Sequence, residues 1–212
     1  MNFLKIKENA LKYLGDYQSI DNHLSLLIDE CIKEIDDLQS FKAIYQIYSL
    51  DTNPLTIKEL DLIIDYQELN ELFNNCQKIV IIACTLGVQV EQRIHYYYHI
   101  NMTKAVILDA VASSYLEYKC DEYEDVHFNN KRTYRYCPGY GSVPLSLNNT
   151  LAKILNINKI GLSIQDNYLF LPQKSMLGLI GLGDKNKNKS CINCIVKDCS
   201  FRKRGLTCYV KD

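Results

Sequence analysis

The residues whose types and spacing best suit chemistry lie together at positions 135–144, with the sequence RYCPGYGSVP. Two prolines and two glycines fall within seven of these residues. A Pro-Gly pair favours a tight turn, because proline fixes φ and glycine accepts positive φ. Such a loop lets a ligand approach the backbone, and Arg135 could hold a carboxylate or phosphate with its planar guanidinium. The stretch is also compatible with a turn that only reverses the chain.

This loop has to be positioned by the elements on either side of it. Residues 132–137 alternate and are rich in aromatic side chains, which predicts a strand. Pro144 suits the first turn of a helix, and we expect that helix over 147–155. We expect a hairpin with strands at 160–164 and 168–171, which turns at Gln165-Asp166-Asn167. A further apolar strand is expected over 174–182.

The first half of the chain predicts helices around one buried strand. Ile79-Val80-Ile81-Ile82-Ala83-Cys84 is a continuous apolar run, typical of a strand buried on both faces. A helix follows it, and a long helix is expected over 103–124. The other expected elements are a helix over 3–14, a helix capped by Asp21, short strands near 41–49 and 55–64, and a short helix over 67–76. Together they predict an α+β fold with a twisted, mainly antiparallel β-sheet flanked by long helices.

Length and charge limit the class of protein. The chain has 212 residues and a formal net charge of −1, which gives no support for a nucleic-acid-binding or membrane-surface protein. No apolar run approaches the ~18 residues of a transmembrane helix, and the first residues lack a signal-peptide core. We therefore expect a cytoplasmic protein. Residues 1–183 would form one domain with a helical part at 1–40, and residues 184–212 a linker and a cysteine-rich tail.

The nine cysteines fall into a scattered and a clustered group. Without an export signal, we expect the scattered ones to be reduced thiols, mostly packed as small apolar residues. These are Cys31, Cys76, Cys84, Cys120 and Cys137.

The clustered cysteines are Cys191, Cys194, Cys199 and Cys208. Close thiolates suit Zn²⁺ or an iron–sulfur cluster, and we favour iron–sulfur slightly. Free or redox-active thiols, and a disulfide formed on oxidation, are the alternatives.

His95 and His99 are four residues apart on a predicted helix, a spacing that can bind a metal ion. The segment lacks the glutamate of an HExxH site. We therefore interpret it as a surface or interface face of the helix.

Several segments, in this order, resemble the reactivation domain of cobalamin-dependent methionine synthase, a module that binds S-adenosylmethionine. The similarity is greatest to short stand-alone proteins of this type from anaerobic bacteria, which also end in a cysteine cluster. It covers nearly the whole chain from residue 13 onward. The matching segments are CTLG at 84–87, KAVILDAVASSYLE at 104–117, RYCPGYGSVP at 135–144, IGLSIQDNYLFLP at 160–172 and KS at 174–175.

The resemblance implies roles for individual residues. Arg135 would pair with the carboxylate of S-adenosylmethionine, and Tyr140 would lie near its sulfonium. Glu117 is in register with a contributing glutamate on the long helix. The backbone positions that would allow close approach of the cofactor are Pro138, Gly139 and Gly141. The alternatives are a solvated helix carboxylate for Glu117 and a turn residue that only packs for Tyr140.

The implied function is that of a reactivation subunit. When the cobalamin of the synthase oxidises to inactive cob(II)alamin, a reductant supplies one electron and S-adenosylmethionine supplies the methyl group. The partners would be the cobalamin-binding methionine synthase polypeptide and an electron donor protein, and the chain would assist a methyltransferase rather than act alone. The alternatives are an iron–sulfur or zinc electron-transfer protein acting on a corrinoid protein, and an adaptor that binds no small molecule.

Two features depart from the family pattern. Full-length methionine synthases carry an aromatic residue on the strand corresponding to 174–182, where this chain has Leu179-Ile180-Gly181. An N-terminal acidic contact of the family has no clear match. We expect the affinity for the cofactor to be weaker, or to depend on other contacts.

Overall fold

The computed structural model describes residues 2–15, 21–128 and 131–186. Within these ranges it confirms the expected α+β fold. The helices are α1 (Phe3–Tyr13), α2 (Asn22–Leu38), α3 (Gln67–Phe73), α4 (Val88–Ile100), α5 (Met102–His127) and α6 (Leu147–Leu155). The strands are β1 (Lys42–Thr52), β2 (Leu55–Ile57), β3 (Leu62–Ile63), β4 (Cys76–Thr85), β5 (Lys131–Arg132), β6 (Ser163–Ile164), β7 (Phe170–Leu171) and β8 (Ser175–Asn186).

The larger sheet has the strand order β3-β2-β1-β4-β8-β5. All its neighbouring strands are antiparallel, as the sequence predicts. Strand β4 lies at its centre, paired with β1 on one side and β8 on the other. Strands β6 and β7 form the expected hairpin, whose turn is closed by a hydrogen bond of 2.9 Å from Tyr168 N–H to Gln165 O. They make a separate two-stranded sheet, whereas the sequence predicts that they join the larger one.

Strand β4 is buried on both faces, as its apolar run predicts. Ile79 and Ile81 belong to the hydrophobic core that α6 completes. Val80 and Ile82 point to the opposite face, where they pack with Phe128. Full burial of each such side chain contributes roughly 1.5–3 kcal/mol to the free energy of folding. Strand β4 therefore stabilises the centre of the sheet, where β1 and β8 pair with it.

Helix α5 is the longest helix of the described ranges, and it packs against α1, α2 and α4. Ser114 Oγ donates to the carbonyl oxygen of Ile6 at 2.7 Å, which joins α5 to α1. No helix in 2–15, 21–128 or 131–186 is both long and apolar enough to cross a membrane.

Two of the scattered cysteines are paired. Cys84 of β4 and Cys120 of α5 form a disulfide, so the expectation of reduced thiols is wrong for this pair. Their thiols meet because the end of β4 packs beneath α5 in one hydrophobic cluster. Cys31 is completely buried and lies outside any disulfide, as expected of a thiol packed as a small apolar residue.

Several strands differ from their predicted bounds, and for two of them the structure gives a clear reason. Of the strand expected over 132–137, only Arg132 belongs to a regular strand, and Tyr136 forms an isolated bridge with Leu179. The ladder is interrupted because Gly181 N–H donates to the side-chain Oγ1 of Thr133, at 2.9 Å, instead of to a backbone carbonyl. Strand β8 continues to Asn186, beyond the predicted end at residue 182, because its last part pairs with β5.

Candidate functional site

The loop 138–143 forms the tight turn that its Pro-Gly pair predicts. Gly139 N–H donates to Val143 O at 2.9 Å, and Val143 N–H donates to Tyr140 O at 3.1 Å. Gly139 and Gly141 have φ of +98° and +57°, a region that glycine adopts without the steric cost of a side chain. Val143 is buried in the core, so the far end of the loop is anchored under the sheet.

Two side chains hold this loop from outside it. Tyr136 is buried, and its hydroxyl donates to Tyr140 O at 2.7 Å. Glu68, in the first turn of α3, accepts two hydrogen bonds from Ser142, one from the backbone N–H to Oε1 at 2.8 Å and one from the hydroxyl to Oε2. The hydrogen bond from the Ser142 hydroxyl lowers the pKa of Glu68, so this group is held as a carboxylate. Burial raises the pKa of Tyr136 to about 12, which keeps its hydroxyl protonated.

The predicted backbone positions of the site all lie on this turn. Pro138 is buried, whereas Gly139 and Gly141 are exposed. The side chain of Tyr140 is 66% exposed although its backbone is fixed by the hydrogen bonds above. The turn therefore offers exposed backbone and one aromatic ring on the same side of the molecule.

Arg135 is buried, and its side chain crosses β8 at Gly178. A Cβ atom at position 178 would lie 2.5 Å from Cγ of Arg135. Nη1 of the guanidinium contacts Oε1 of Glu124, and Nη2 lies 3.6 Å from Oδ1 of Asp121. Because 3.6 Å exceeds an ordinary hydrogen-bond length, Nη2 keeps donor capacity for a further acceptor.

The carboxylates opposite Arg135 share one face of α5. Glu117, Asp121 and Glu124 are four and three residues apart, the spacing that places side chains next to each other on a helix. Glu124 also has its Oε2 3.9 Å from Nε of the fully buried Arg132. The acidic face is therefore partly balanced by two arginines that come from the segment before the loop.

Glu117 lies on the part of this face nearest to α1. It accepts a hydrogen bond of 3.0 Å from the hydroxyl of Tyr13. Partial burial, and then the Glu117 carboxylate, raise the pKa of Tyr13, with smaller contributions from Tyr140 and Cys137. The Tyr13 hydroxyl is therefore within electrostatic range of both Glu117 and the loop. In the part of the chain that the structure describes, no lysine or arginine pairs with Glu117.

The polar face of α5 continues toward the start of the helix. Lys174, just before β8, has its Nζ 2.8 Å from Oδ1 of Asp109 and donates to Oγ of Ser113 at 2.9 Å. Asp109, Ser113, Glu117 and Asp121 are successively four residues apart. This polar face of α5 therefore runs from the start of β8 to Arg135.

The strand position at which the family carries an aromatic residue is part of the core here. Leu179 and Ile180 are both completely buried. They belong to hydrophobic clusters on opposite faces of the sheet. A ligand at the loop would therefore have to use other aromatic groups, such as Tyr140.

The predicted metal ligands Cys191, Cys194, Cys199 and Cys208 lie outside the described residues, so that prediction stays untested. Within 2–15, 21–128 and 131–186, no group of three or more His, Cys, Asp and Glu residues is arranged to hold a metal ion. His95 and His99 lie on α4 and are exposed, as expected of a surface face. His95 lines an open groove of about 460 Å³ between α4 and β7, away from the loop.

Sequence reasoning missed the partners of the predicted residues. Asp121 and Glu124 follow Glu117 at helical spacing, which is a signal that could have found them. Glu68 and Tyr13 come from segments 74 and 104 positions away from the residues that they bond. No local pattern connects residues so far apart.

Comparison with known proteins adds one structural relationship. No protein-family model matches the chain, and no curated protein sequence matches it. Among solved structures, the chain is similar to the MetH reactivation domain bound to AdoHcy, with a TM-score of 0.60 and 14% sequence identity. The match covers 89% of this chain and 77% of that chain. At this identity the similarity shows a shared fold.

Proposed function

We propose that this protein is an activation subunit of cobalamin-dependent methionine synthase that binds S-adenosylmethionine. The observation that supports the proposal is the convergence of Arg135 and the acidic face of α5, where Arg135 lies beside Asp121, one helical turn from Glu117. This convergence occurs in a fold shared with the MetH reactivation domain bound to AdoHcy. AdoHcy, S-adenosylhomocysteine, is S-adenosylmethionine without the methyl group and the charge on sulfur.

The charges of the site suit the three charged groups of this cofactor. Its carboxylate would accept a charge-assisted hydrogen bond from Nη2 of Arg135. Its ammonium and sulfonium would be attracted by the Glu117 carboxylate, which no basic residue of the described ranges neutralises. The exposed Tyr140 ring would present its negative face to the sulfonium.

The residues of the chain would position the cofactor and take no covalent part. Bound S-adenosylmethionine would supply a methyl group to a reduced corrinoid held by the partner polypeptide. Glu117 and Arg135 would fix the two ends of the amino-acid portion, which converts a random encounter into an oriented one. The exposed side of the loop, with Tyr140, would face the cobalamin-binding polypeptide.

An anaerobic reactivation assay tests this function. The cobalamin-binding methionine synthase polypeptide is prepared as cob(II)alamin and mixed with a reductant, S-adenosylmethionine and this protein, and the corrinoid spectrum is followed. We expect methylation of the corrinoid only when both this protein and S-adenosylmethionine are present. Glu117→Gln should slow it by about 10-fold or more, whereas Asp37→Asn, the same change at an exposed carboxylate of α2, should not.

The same assay separates the alternative electron-transfer function that the cysteines at 191–208 suggest. A protein of that kind would reduce the corrinoid without S-adenosylmethionine. Reduction that needs this protein but not the cofactor would overturn the proposed function.

A further inference from the structure

The exposed end of the loop 138–143 is held by a carboxylate from a distant helix. Glu68 of α3 and Ser142 are separated by 74 positions in the sequence. Both oxygens of the Glu68 carboxylate are used, one by the backbone N–H and one by the hydroxyl of Ser142. Two charge-assisted hydrogen bonds to one residue fix its orientation as well as its position.

The backbone next to Ser142 is shaped to admit this carboxylate. Gly141 has φ of +57°. A Cβ atom at this position would overlap Oε1 of Glu68 and would lie 3.1 Å from the hydroxyl oxygen of Tyr136. The loop backbone and the carboxylate are therefore in direct contact, and displacement of one displaces the other.

Tyr140 lies between two fixed points of the backbone. Its carbonyl oxygen accepts hydrogen bonds from the Tyr136 hydroxyl at 2.7 Å and from Val143 N–H at 3.1 Å. Ser142, two residues further on, is held by Glu68. These contacts set the direction in which the exposed Tyr140 side chain projects.

We propose that Glu68 is a positioning residue of the candidate ligand site, acting through Ser142 and Gly141 on Tyr140. The inference rests on the proposed function, because the affected ligand is S-adenosylmethionine or its product. In this role Glu68 would act without contacting the ligand. A carboxylate suits this role because it accepts two hydrogen bonds at once. Glutamine can retain the geometry, since it accepts from the N–H of Ser142 and donates to its hydroxyl oxygen.

The test compares Glu68→Ala and Glu68→Gln with Glu71→Ala, a matched control at an exposed carboxylate of the same helix. Calorimetry with S-adenosylhomocysteine as the probe measures affinity, and hydrogen exchange of the free protein measures the opening of residues 139–143. We expect Glu68→Ala to weaken binding about 10-fold and to speed exchange in the loop. Glu68→Gln should stay within about 3-fold of wild type, and Glu71→Ala should not differ from it.

A double variant separates positioning from general loosening. If Glu68 acts through Tyr140, Glu68→Ala should have little further effect on affinity in a Tyr140→Ala background. Full additivity, or wild-type affinity in Glu68→Ala, would overturn the inference. If wild type itself does not bind the probe, the proposed function fails. Hydrogen exchange then decides the positioning role alone, and unchanged exchange in Glu68→Ala overturns it.

Discussion

The guanidinium of Arg135 and the carboxylate of Glu124 form a salt bridge in which the two residues are 8% and 1% exposed. This salt bridge joins the segment that leads into the loop 138–143 to the helix that carries Glu117. The salt bridge therefore holds the loop and the acidic face of α5 at a fixed separation.

Replacement of Arg135 by alanine should lower the free energy of unfolding by about 3 kcal/mol, because it leaves the buried Glu124 carboxylate with only the more distant Arg132, 3.9 Å away. Urea-induced unfolding measures this change. The control variant is Lys58→Ala. Lys58 pairs with Asp51, and both side chains are about half exposed. That variant should change the free energy by less than about 1 kcal/mol.

A double variant checks the cause. Arg135→Met combined with Glu124→Gln removes both charges, and it should recover a large part of the lost free energy of unfolding. If Arg135→Ala is no more destabilising than Lys58→Ala, the salt bridge is not buried in solution.

Gly178→Ala should displace Arg135. The new Cβ would lie 2.5 Å from Cγ of Arg135 and 3.1 Å from the carbonyl oxygen of Tyr136, so the side chain must move or the backbone must shift. Overpacking of this kind lowers the free energy of unfolding by about 1–3 kcal/mol. Thermal unfolding measures it, with Ser163→Ala in the exposed part of the hairpin as the comparison. Equal transition temperatures would mean that Arg135 does not cross β8 at this point.

Gly141→Ala and Gly161→Ala form a matched pair of variants. Both glycines have positive φ, so each replacement carries a backbone cost of about 1–2 kcal/mol. At position 161 the added Cβ would meet nothing within 4 Å, whereas at position 141 it would overlap Glu68. Urea-induced unfolding should therefore show a larger loss for Gly141→Ala, by about 1–3 kcal/mol. The same loss in both variants would contradict the contact between Glu68 and the loop.

Stability should depend on pH through Glu68. The hydrogen bond from the Ser142 hydroxyl lowers the pKa of Glu68 in the folded state below its value in the unfolded chain. The carboxylate therefore contributes stability above its unfolded pKa, and this contribution is lost as the pH falls through the folded pKa. Between about pH 5 and 3, wild type should lose more stability than Glu68→Gln, by less than about 1 kcal/mol because the group is partly exposed.

Urea-induced unfolding of both proteins across this pH range measures the difference. Other carboxylates titrate in the same range, but they are common to both proteins and cancel in the comparison. Parallel pH profiles would show that Glu68 has the same pKa in the folded and unfolded states.

Reduction of the Cys84–Cys120 disulfide should loosen the connection between β4 and α5. The two residues are 36 positions apart, and a cross-link of this kind contributes about 2–4 kcal/mol to the free energy of unfolding. Alkylation followed by mass spectrometry should leave both thiols unlabelled in the denatured, unreduced protein and label them after reduction. Labelling of both without reduction would show that the pair is not oxidised in solution.

Elements with one dominant local pattern could be predicted from the sequence. The apolar run 79–84 lies within β4, and the bounds of α6 are those predicted. Asp21 caps α2 as expected, since its side chain accepts from Leu24 N–H at 2.7 Å. Each of these depends on residues close together in the chain, so periodicity and capping rules suffice.

The candidate site could be predicted only in part. The Pro-Gly pair predicts the turn, and the family resemblance selects Arg135 and Glu117. The contacts Arg135–Glu124 and Glu68–Ser142 join polar residues from separate elements, and hydrophobic periodicity carries no information about them. The interruption of the strand at Thr133 could not be predicted for the same reason, because the Thr133 side chain replaces a backbone carbonyl as the acceptor and hydrophobic periodicity does not show this.

Calorimetric titration of S-adenosylmethionine into wild type, Glu117→Gln and Asp37→Asn decides whether the acidic face of α5 and the loop 138–143 form a cofactor site. Glu117→Gln leaves the buried pair of Arg135 and Glu124 intact, so folding is not at issue. We predict saturable binding to wild type and to Asp37→Asn. The affinity of Glu117→Gln should be lower by about 10-fold or more. Absence of binding to folded wild type, or equal affinity in Glu117→Gln, would contradict the assignment.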